Sequence, residues 1–271
     1  VKMENNQWAV IVGNGYNSAG GKAVLYVLFM AGGEDGTWTV GTDYIRLVAD
    51  AGTGNGLSTP TPFDKNGNGL VDVIYAGDIK GNLWKFDVSS STPSSWNVAI
   101  GGLPLFVSGA TKPIISPPAV SFHPKKGQLI MFGTGKYLET ADTTNTSTQS
   151  IYGLWDLNTP ATITAGMLVQ QVMTDATVRT ATQNQVTYSD TIKGWYINFP
   201  VSGERITGVP MLEDGILLFT TNVPSASPCD FGGRGFANAL DFLTGSMLAF
   251  PVFDINRNRV LSLDDGLSAG V

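Results

Sequence analysis

The chain contains one cysteine and one histidine in 271 residues, and only 14% of it is charged. Cys229 has no second cysteine to pair with, so no disulfide framework closes within this sequence; the thiol is either free or paired outside these boundaries. His123 alone cannot build a zinc site, which needs several His or Cys ligands, nor a triad without a serine and an acid placed by the fold. It stands in Phe122-His123-Pro124-Lys125-Lys126-Gly127 and is expected to be a surface residue of a hairpin-like turn. No apolar run approaches the ~18 residues of a membrane-spanning helix. The longest, Ala23 to Ala31, has the length of a strand. Beyond the doublet Lys125-Lys126 there is no basic cluster, and the formal net charge is −6. That balance argues against nucleic-acid binding, which needs cations to displace counterions from phosphates. A signal-peptide pattern is also missing, and both ends are expected to continue into a longer chain.

Helical periodicity is nearly absent as well. Short apolar or alternating runs are separated by Gly, Asn, Asp and Pro, which is the all-β pattern. The runs repeat in order. One unit passes through Val73-Ile74-Tyr75-Ala76-Gly77-Asp78, turns at Lys80-Gly81-Asn82 and leaves as Leu83-Trp84-Lys85-Phe86-Asp87. Others run through Gln128 to Gly133 and Ile151 to Asp156, and through Ile216 to Thr220 and Phe236 to Asp241. A fourth lies upstream, at Trp8 to Gly13 and Ala23 to Leu28. Antiparallel units at roughly forty to sixty residues are the signature of propeller blades. The expected fold is therefore an all-β propeller of quinoprotein-like blades filling residues 1–271. Trp84, Phe86, Trp155 and Phe242 are expected to pack between sheets. Four units are few for a closed ring, so the chain is expected to be part of a larger propeller.

Asp64-Lys65-Asn66-Gly67-Asn68-Gly69-Leu70-Val71-Asp72 places side-chain oxygens at loop positions 1, 3, 5 and 9 and glycine at position 6. That is how a calcium loop wraps an ion, with a backbone carbonyl at position 7. Position 12, usually a bidentate glutamate, is Tyr75, so Asp72 has to close the shell. The predicted ligands are Asp64, Asn66, Asn68, the Leu70 carbonyl and Asp72. Calcium is favoured over magnesium, which resists losing its waters to a flexible all-oxygen loop. A second candidate loop spans residues 254–265, with Asp254, Asn256, Asn258 and Asp265 as its oxygens. There Arg259 replaces the position-6 glycine and Arg257 adds a further positive charge, both opposing a tight cation loop.

No catalytic constellation assembles. Gly13 to Gly21 is glycine-rich, yet it lacks the Gly-Lys-Ser/Thr and following helix of a phosphate loop. The acidic pairs Glu34-Asp35 and Glu213-Asp214 sit beside glycine, as solvated hairpin tips do. The polar stretch from Thr140 to Ser150 cannot bury enough apolar surface to order itself and is expected to be a mobile exposed loop.

Larger blocks carry a resemblance. Lys193-Gly194-Trp195-Tyr196-Ile197-Asn198-Phe199-Pro200, then Gly203-Glu204-Arg205, Phe219 to Pro224, Pro228 to Gly233 and Leu240 to Gly245 form one series. With Asn14 to Ser18 and the Tyr75 to Asp87 unit, they resemble the C-terminal propeller of type IV pilus tip adhesin and biogenesis proteins. The resemblance implies a secreted, non-enzymatic protein of the Gram-negative outer membrane or pilus tip. It also implies calcium as cofactor, pilins or minor pilins and a host or abiotic surface as partners, and roles in pilus extension against retraction and in attachment. The family's calcium ligands fall on the five positions named above. Many members carry Asp at loop position 5, where Asn68 stands, and one charge fewer weakens a calcium loop. No Arg-Gly-Asp tripeptide occurs, so integrin-type binding is unsupported here. Glu204 and Arg205 are expected to pair with neighbouring charges at a blade edge. The alternatives are a quinoprotein (PQQ-type) dehydrogenase, whose usual vicinal cysteine pair one cysteine cannot supply, and a non-catalytic outer-membrane scaffold.

Overall fold

The computed structural model describes residues 1–225 and 233–271; Cys229 and the block around it lie outside the described residues. Strands, five short 3-10 turns and irregular segments make up the chain, with no α-helix among the described residues. Two compact units are distinguished, Val1–Gln128 with Leu157–Thr164, and Leu129–Asp156 with Ala165–Val271.

The first unit begins with an antiparallel sheet, β1 (Ala9–Gly13), β2 (Ala23–Phe29) and β3 (Tyr44–Asp50), in that order. A second sheet runs β4 (Thr61–Phe63), β5 (Val73–Gly77), β6 (Asn82–Asp87) and β7 (Asn97–Val98). β8 (Phe106–Val107) pairs with β6 as well, and β9 (Ala119–Phe122) follows. The period-2 alternation of β2 turns Ala23, Leu25, Val27 and Phe29 inward. They meet Ile74 and Ala76 of β5, Trp84 and Phe86 of β6, Met3 and Trp96 in one buried cluster. Each such large side chain contributes about 1.5–3 kcal/mol when fully buried.

The β5–β6 turn shows why Asp, Asn and Trp recur in this unit. The buried Asp78 carboxylate accepts from the backbone and side-chain nitrogens of Asn82, from Nδ2 of Asn55 and from the Trp84 indole, each at 2.8 Å. One carboxylate thus satisfies a turn amide and three side chains.

In the second unit, β10 (Gln128–Gly133), β11 (Ser150–Asp156), β12 (Leu168–Val172) and β13 (Gly194–Asn198) lie in the order β12-β13-β11-β10. β12 runs parallel to β13, while β11 runs antiparallel to it. A further antiparallel sheet is β14 (Met211–Glu213), β15 (Ile216–Val223) and β16 (Arg234–Asp241). The last residues extend it, since Ala237 and Val271 exchange both backbone hydrogen bonds at 2.9 Å. Trp195 is fully buried and donates its indole N–H to the Phe242 carbonyl at 3.0 Å. A Cβ on Gly153 or Gly245 would come within 2.4 or 2.1 Å of that ring, so only glycine allows the approach. The four sheets correspond to the four strand units read from the sequence.

The structure corrects three expectations. Glu204 and Arg205 are both buried, and of the two it is Glu204 that pairs with a charge. Glu204 meets the guanidinium of Arg179 at 2.6 and 2.9 Å, with both side chains fully buried, and also accepts from Thr221. Arg205 donates to four backbone carbonyls instead, those of Lys136, Asp142, Asn145 and Gly203, at 2.6–2.9 Å. That interaction overturns the second expectation, a mobile loop from Thr140 to Ser150. Thr140–Thr144 forms a 3-10 turn with a capping box between Glu139 and Asp142, and buried Asp142 also pairs with Lys136 at 2.7 Å. Composition predicted disorder because the segment cannot order itself, but a guanidinium from another segment supplies the missing partners. Third, His123 is buried, and its Nδ1 accepts from the Lys125 amide at 3.2 Å. Burial, then the charge of Lys125, pushes its pKa down.

Glu204→Gln is expected to lower stability by ~3–5 kcal/mol, because it leaves the Arg179 charge buried without a counter-charge. The midpoint of urea unfolding measures it, and an unchanged midpoint would refute the role assigned to the pair. Arg205→Lys, which cannot span four carbonyls, is expected to expose Tyr137-Leu138 to chymotrypsin faster than in the wild type.

Candidate metal centre

Residues 64–72 connect β4 to β5, and backbone pairing fixes both ends of the connection. The Asp72 amide donates to the Phe63 carbonyl at 3.2 Å, and the Val88 amide donates to the Asp72 carbonyl at 3.0 Å. Between these anchors the chain curls through successive side-chain-to-backbone turns. Asp64 Oδ1 accepts from the amides of Asn66 and Gly67 at 3.1 and 2.7 Å, and Oδ2 from Gly69 at 2.6 Å. Asn66 Oδ1 accepts from the Asn68 amide at 3.0 Å, and Asn68 Oδ1 from the Leu70 amide at 2.8 Å. Gly67 and Gly69 take φ of 78° and 82°, a left-handed backbone that explains their spacing. Asp72 is buried at the far end, with its Oδ2 accepting from the Lys65 amide at 2.8 Å and its Oδ1 from Nδ2 of Asn66 at 3.0 Å.

The five predicted positions therefore occupy one curl. The donor set is entirely oxygen, which suits a hard cation. Among the described residues, no three His, Cys, Asp or Glu side chains are grouped as a metal site, and the loop itself contributes two carboxylates. Partial burial pushes the Asp64 carboxyl up, but the amides of Gly69, Gly67, Asn66 and Asn68 together outweigh it and hold its pKa below the usual value. The Asp72 carboxyl moves the other way. Burial first, then contact with the Glu4 carboxyl, raise it against the opposing pull of Lys65. Glu4 also accepts from Asn68 Nδ2 at 3.0 Å. It lies sixty residues upstream in chain order, and no local spacing signals its approach.

The loop over 254–265 makes the same curl. Asp254 accepts from the amides of Asn258 and Arg259 at 3.1 and 2.8 Å, Asn256 from Asn258 at 3.0 Å, and Asn258 from Val260 at 2.7 Å. Asp265 closes it by accepting from the amides of Ser262 and Asn256 at 2.9 and 3.2 Å. Those bonds, that of Ser262 foremost, hold its pKa below the usual value. The absent glycines do not prevent the turn. Arg257 and Arg259 adopt φ of 59° and 66°, where Gly67 and Gly69 stand in the first loop. Non-glycine residues are strained there, and the two guanidinium groups add positive charge to a loop with three carboxylates.

Residues 1–189 match the family model described as the PilY1 beta-propeller domain. The chain is 34% identical to the type IV pilus biogenesis factor PilY1 of Pseudomonas aeruginosa, over 96% of this chain and 26% of that protein. It is also 34% identical to a PilY1 homologue of Xylella fastidiosa, over 90% of this chain and 18% of that protein. The chain thus spans about a quarter or less of the length of these relatives. The crystal structure of the Pseudomonas aeruginosa PilY1 C-terminal domain matches with a TM-score of 0.82 at 31% identity, covering all of this chain and 64% of that one. Sequence, sheet order and structural match agree, and the chain belongs to the PilY1 β-propeller family.

Proposed function

We propose that this chain is a non-enzymatic, calcium-binding propeller module of a type IV pilus biogenesis and tip-adhesion protein. In this reading calcium regulates pilus extension against retraction and surface attachment, at the outer membrane or pilus tip. Its partners are pilins or minor pilins and a host or abiotic surface. The observation that carries it is the curl of Asp64 to Asp72, an all-oxygen loop built into the second sheet of a chain whose relatives are named as pilus biogenesis factors. Asp64, Asn66, Asn68, the Leu70 carbonyl and Asp72 hold the ion.

Regulation rather than structural support follows from where the core lies. The buried cluster of the first unit draws mainly on β2, β5 and β6 and takes in Val71 of the loop, but none of the five ligand positions belongs to it. Among the described residues no helix is long and apolar enough to cross a membrane. Attachment through partners is the mode this reading adopts. The 254–265 loop, with its two arginines, is assigned a weaker cation site held by Asp254, Asn256, Asn258 and Asp265.

Calorimetric titration of calcium is expected to give one dominant site, with affinity on the order of micromolar to sub-millimolar. Asp72→Ala is expected to abolish its heat, and equal heats in the two proteins would sink the assignment. Saturating calcium at a hundred times Kd is expected to add about 2.7 kcal/mol of stability by linkage. Wholesale unfolding on chelation would instead make the ion structural. In the host, an Asp64→Ala strain is expected to export the protein yet lose twitching, and normal twitching would rule out the regulatory role.

A further inference from the structure

We propose that the glycine-rich loop between β1 and β2 forms, with residues 53–55 of the next loop, a binding site for a neutral sugar. The inference deepens the attachment part of the reading above by naming a class of surface group, and it is independent of the calcium part.

The cleft lies within the first unit and has a volume of about 320 Å³, at the lower end for small-molecule sites. Tyr16, Asn17, Ser18 and Gly20 line it from the first loop and Thr53 and Gly54 from the second. Two asparagines hold these loops in place before any ligand arrives. Asn14 Oδ1 accepts from the amides of Val24 and Leu57 at 2.9 and 3.0 Å, and its Nδ2 donates to the Ser18 hydroxyl and the Lys22 carbonyl, both at 2.7 Å. Asn55 Nδ2 donates to Asp50 and Asp78 at 2.8 Å, and the Asn55 amide to the Gly21 carbonyl at 2.7 Å. Loops fixed in this way need little further ordering when a ligand binds. They also meet closely: a Cβ on Gly21 would stand 2.8 Å from the Gly54 nitrogen. Gly20 is different. A Cβ there meets nothing within 4 Å, and its backbone is not left-handed, so neither packing nor conformation requires glycine. What glycine supplies at that position is bare backbone on the lining of the cleft.

The chemistry of the lining selects the ligand. None of its ten residues carries a charge, and Asp50, to which Asn55 donates, is already paired with Lys80 at 2.9 Å. An ionic ligand finds no counter-charge here, and the net charge of −6 disfavours anions further. Tyr16 is 45% exposed, which leaves its ring open to the polarised C–H groups of a pyranose. Polar groups accompany it that a ligand can use without dismantling the scaffold. Ser18 Oγ accepts from Asn14 and so keeps its proton to donate. Among the described residues, the Thr53 hydroxyl and the Asn17 side-chain amide make no hydrogen bond. One aromatic ring among hydroxyl and amide groups matches a sugar, which is apolar on its C–H face and hydrogen-bonding at its rim. An amphipathic helix needs a continuous apolar groove, whereas Ala19 and Ile79 are the only aliphatic side chains beyond glycine on this lining.

The test is saturation-transfer NMR on the full chain, in chelator so that the result does not depend on calcium. The probes are the methyl glycosides of glucose, galactose, mannose and N-acetylglucosamine, with glucuronic acid as the anionic control and a proline-rich peptide as the rival ligand. At least one neutral glycoside is expected to bind, with Kd on the order of millimolar for so small a site. Tyr16→Ala is expected to weaken it about tenfold or more, while Tyr16→Phe, which keeps the ring, changes it by less than about threefold. Gly20→Val, which fills the lining where nothing else stands, is expected to block binding with an unchanged melting temperature; melting also checks that each variant folds. The sugar site would be overturned if no neutral glycoside bound the wild type, or if Tyr16→Ala bound as well as the wild type. Glucuronic acid or the peptide binding as tightly as the neutral glycosides would overturn it too. The attachment reading fails separately, if a host strain lacking the protein adheres as well as its parent.

Discussion

The structure depends on satisfying the backbone of its irregular segments. Strands satisfy one another, but more of the chain lies between strands than within them, and a buried amide or carbonyl without a partner costs about as much as a lost hydrogen bond. Arg205 is the strongest instance. Its guanidinium has five N–H donors in a planar fork, and four carbonyls converge on it, three from residues 136–145 and one from its own turn. The adjacent Glu204 does the complementary work, holding Arg179 and Thr221. Two neighbouring residues of opposite charge thus fasten the segment around 136–145 and the segment around 179 to the same turn. Arg179 forms an isolated antiparallel bridge with Gly270, so the C-terminal residues depend on this turn as well.

The same device, at smaller scale, makes the proposed cation loop. In residues 64–72 the polar side chains first serve the backbone: Asp64, Asn66 and Asn68 accept amides two to five residues ahead, and Asp72 accepts the Lys65 amide behind it. A carboxylate or amide oxygen has lone pairs to spare after one such bond. Side chains that shape the curl are therefore available to a cation without dismantling it. Asp78 shows how a carboxylate behaves where the role is purely structural. It is fully buried, with Asn and Trp donors around both oxygens. Asp64 differs in being half-exposed, with backbone amides as its partners.

How legible these features were follows from their range along the chain. The strands and the loop are local patterns, a period of two and an alternation of oxygens with glycine, and both could be read directly. The Tyr75 to Asp87 unit was legible for the same reason, since Asp78, Asn82 and Trp84 lie within one hairpin. Glu4 was not, because a backbone bridge between Met3 and Val71 brings it to the loop. Nor was the Arg179–Glu204 pair, whose members are separated by β13. Thr140 to Ser150 failed for an instructive reason: composition measures what a segment does alone, and this one is ordered by Arg205. The second loop makes the same curl with arginine in place of glycine. Arg257 and Arg259 take left-handed backbone, and the Asp254, Asn256 and Asp265 bonds hold both residues there.

That contrast bears on what an ion does to each loop. In the first, glycine leaves the curl nearly unstrained, and the closing carboxylate Asp72 has its backbone tied into β4 and β6 through Phe63 and Val88. A cation drawn onto Asp72 therefore acts on an anchored group, and the part free to respond is the exposed run from Asn66 to Gly69 together with the Glu4 side chain. Asp72 also lines a polar cleft with Lys65, Lys85, Asp87, Asn97 and Asn158. On the proposed reading, charge added at the loop alters the field in that cleft, because Asp72 and Lys65 belong to both. On the proposed reading, calcium is then felt through the surface chemistry around one sheet more than through the fold. A signal of that kind suits a regulator: it is reversible at affinities in the range expected of the loop, and it leaves the buried cluster of Met3, Phe29, Trp84 and Phe86 untouched.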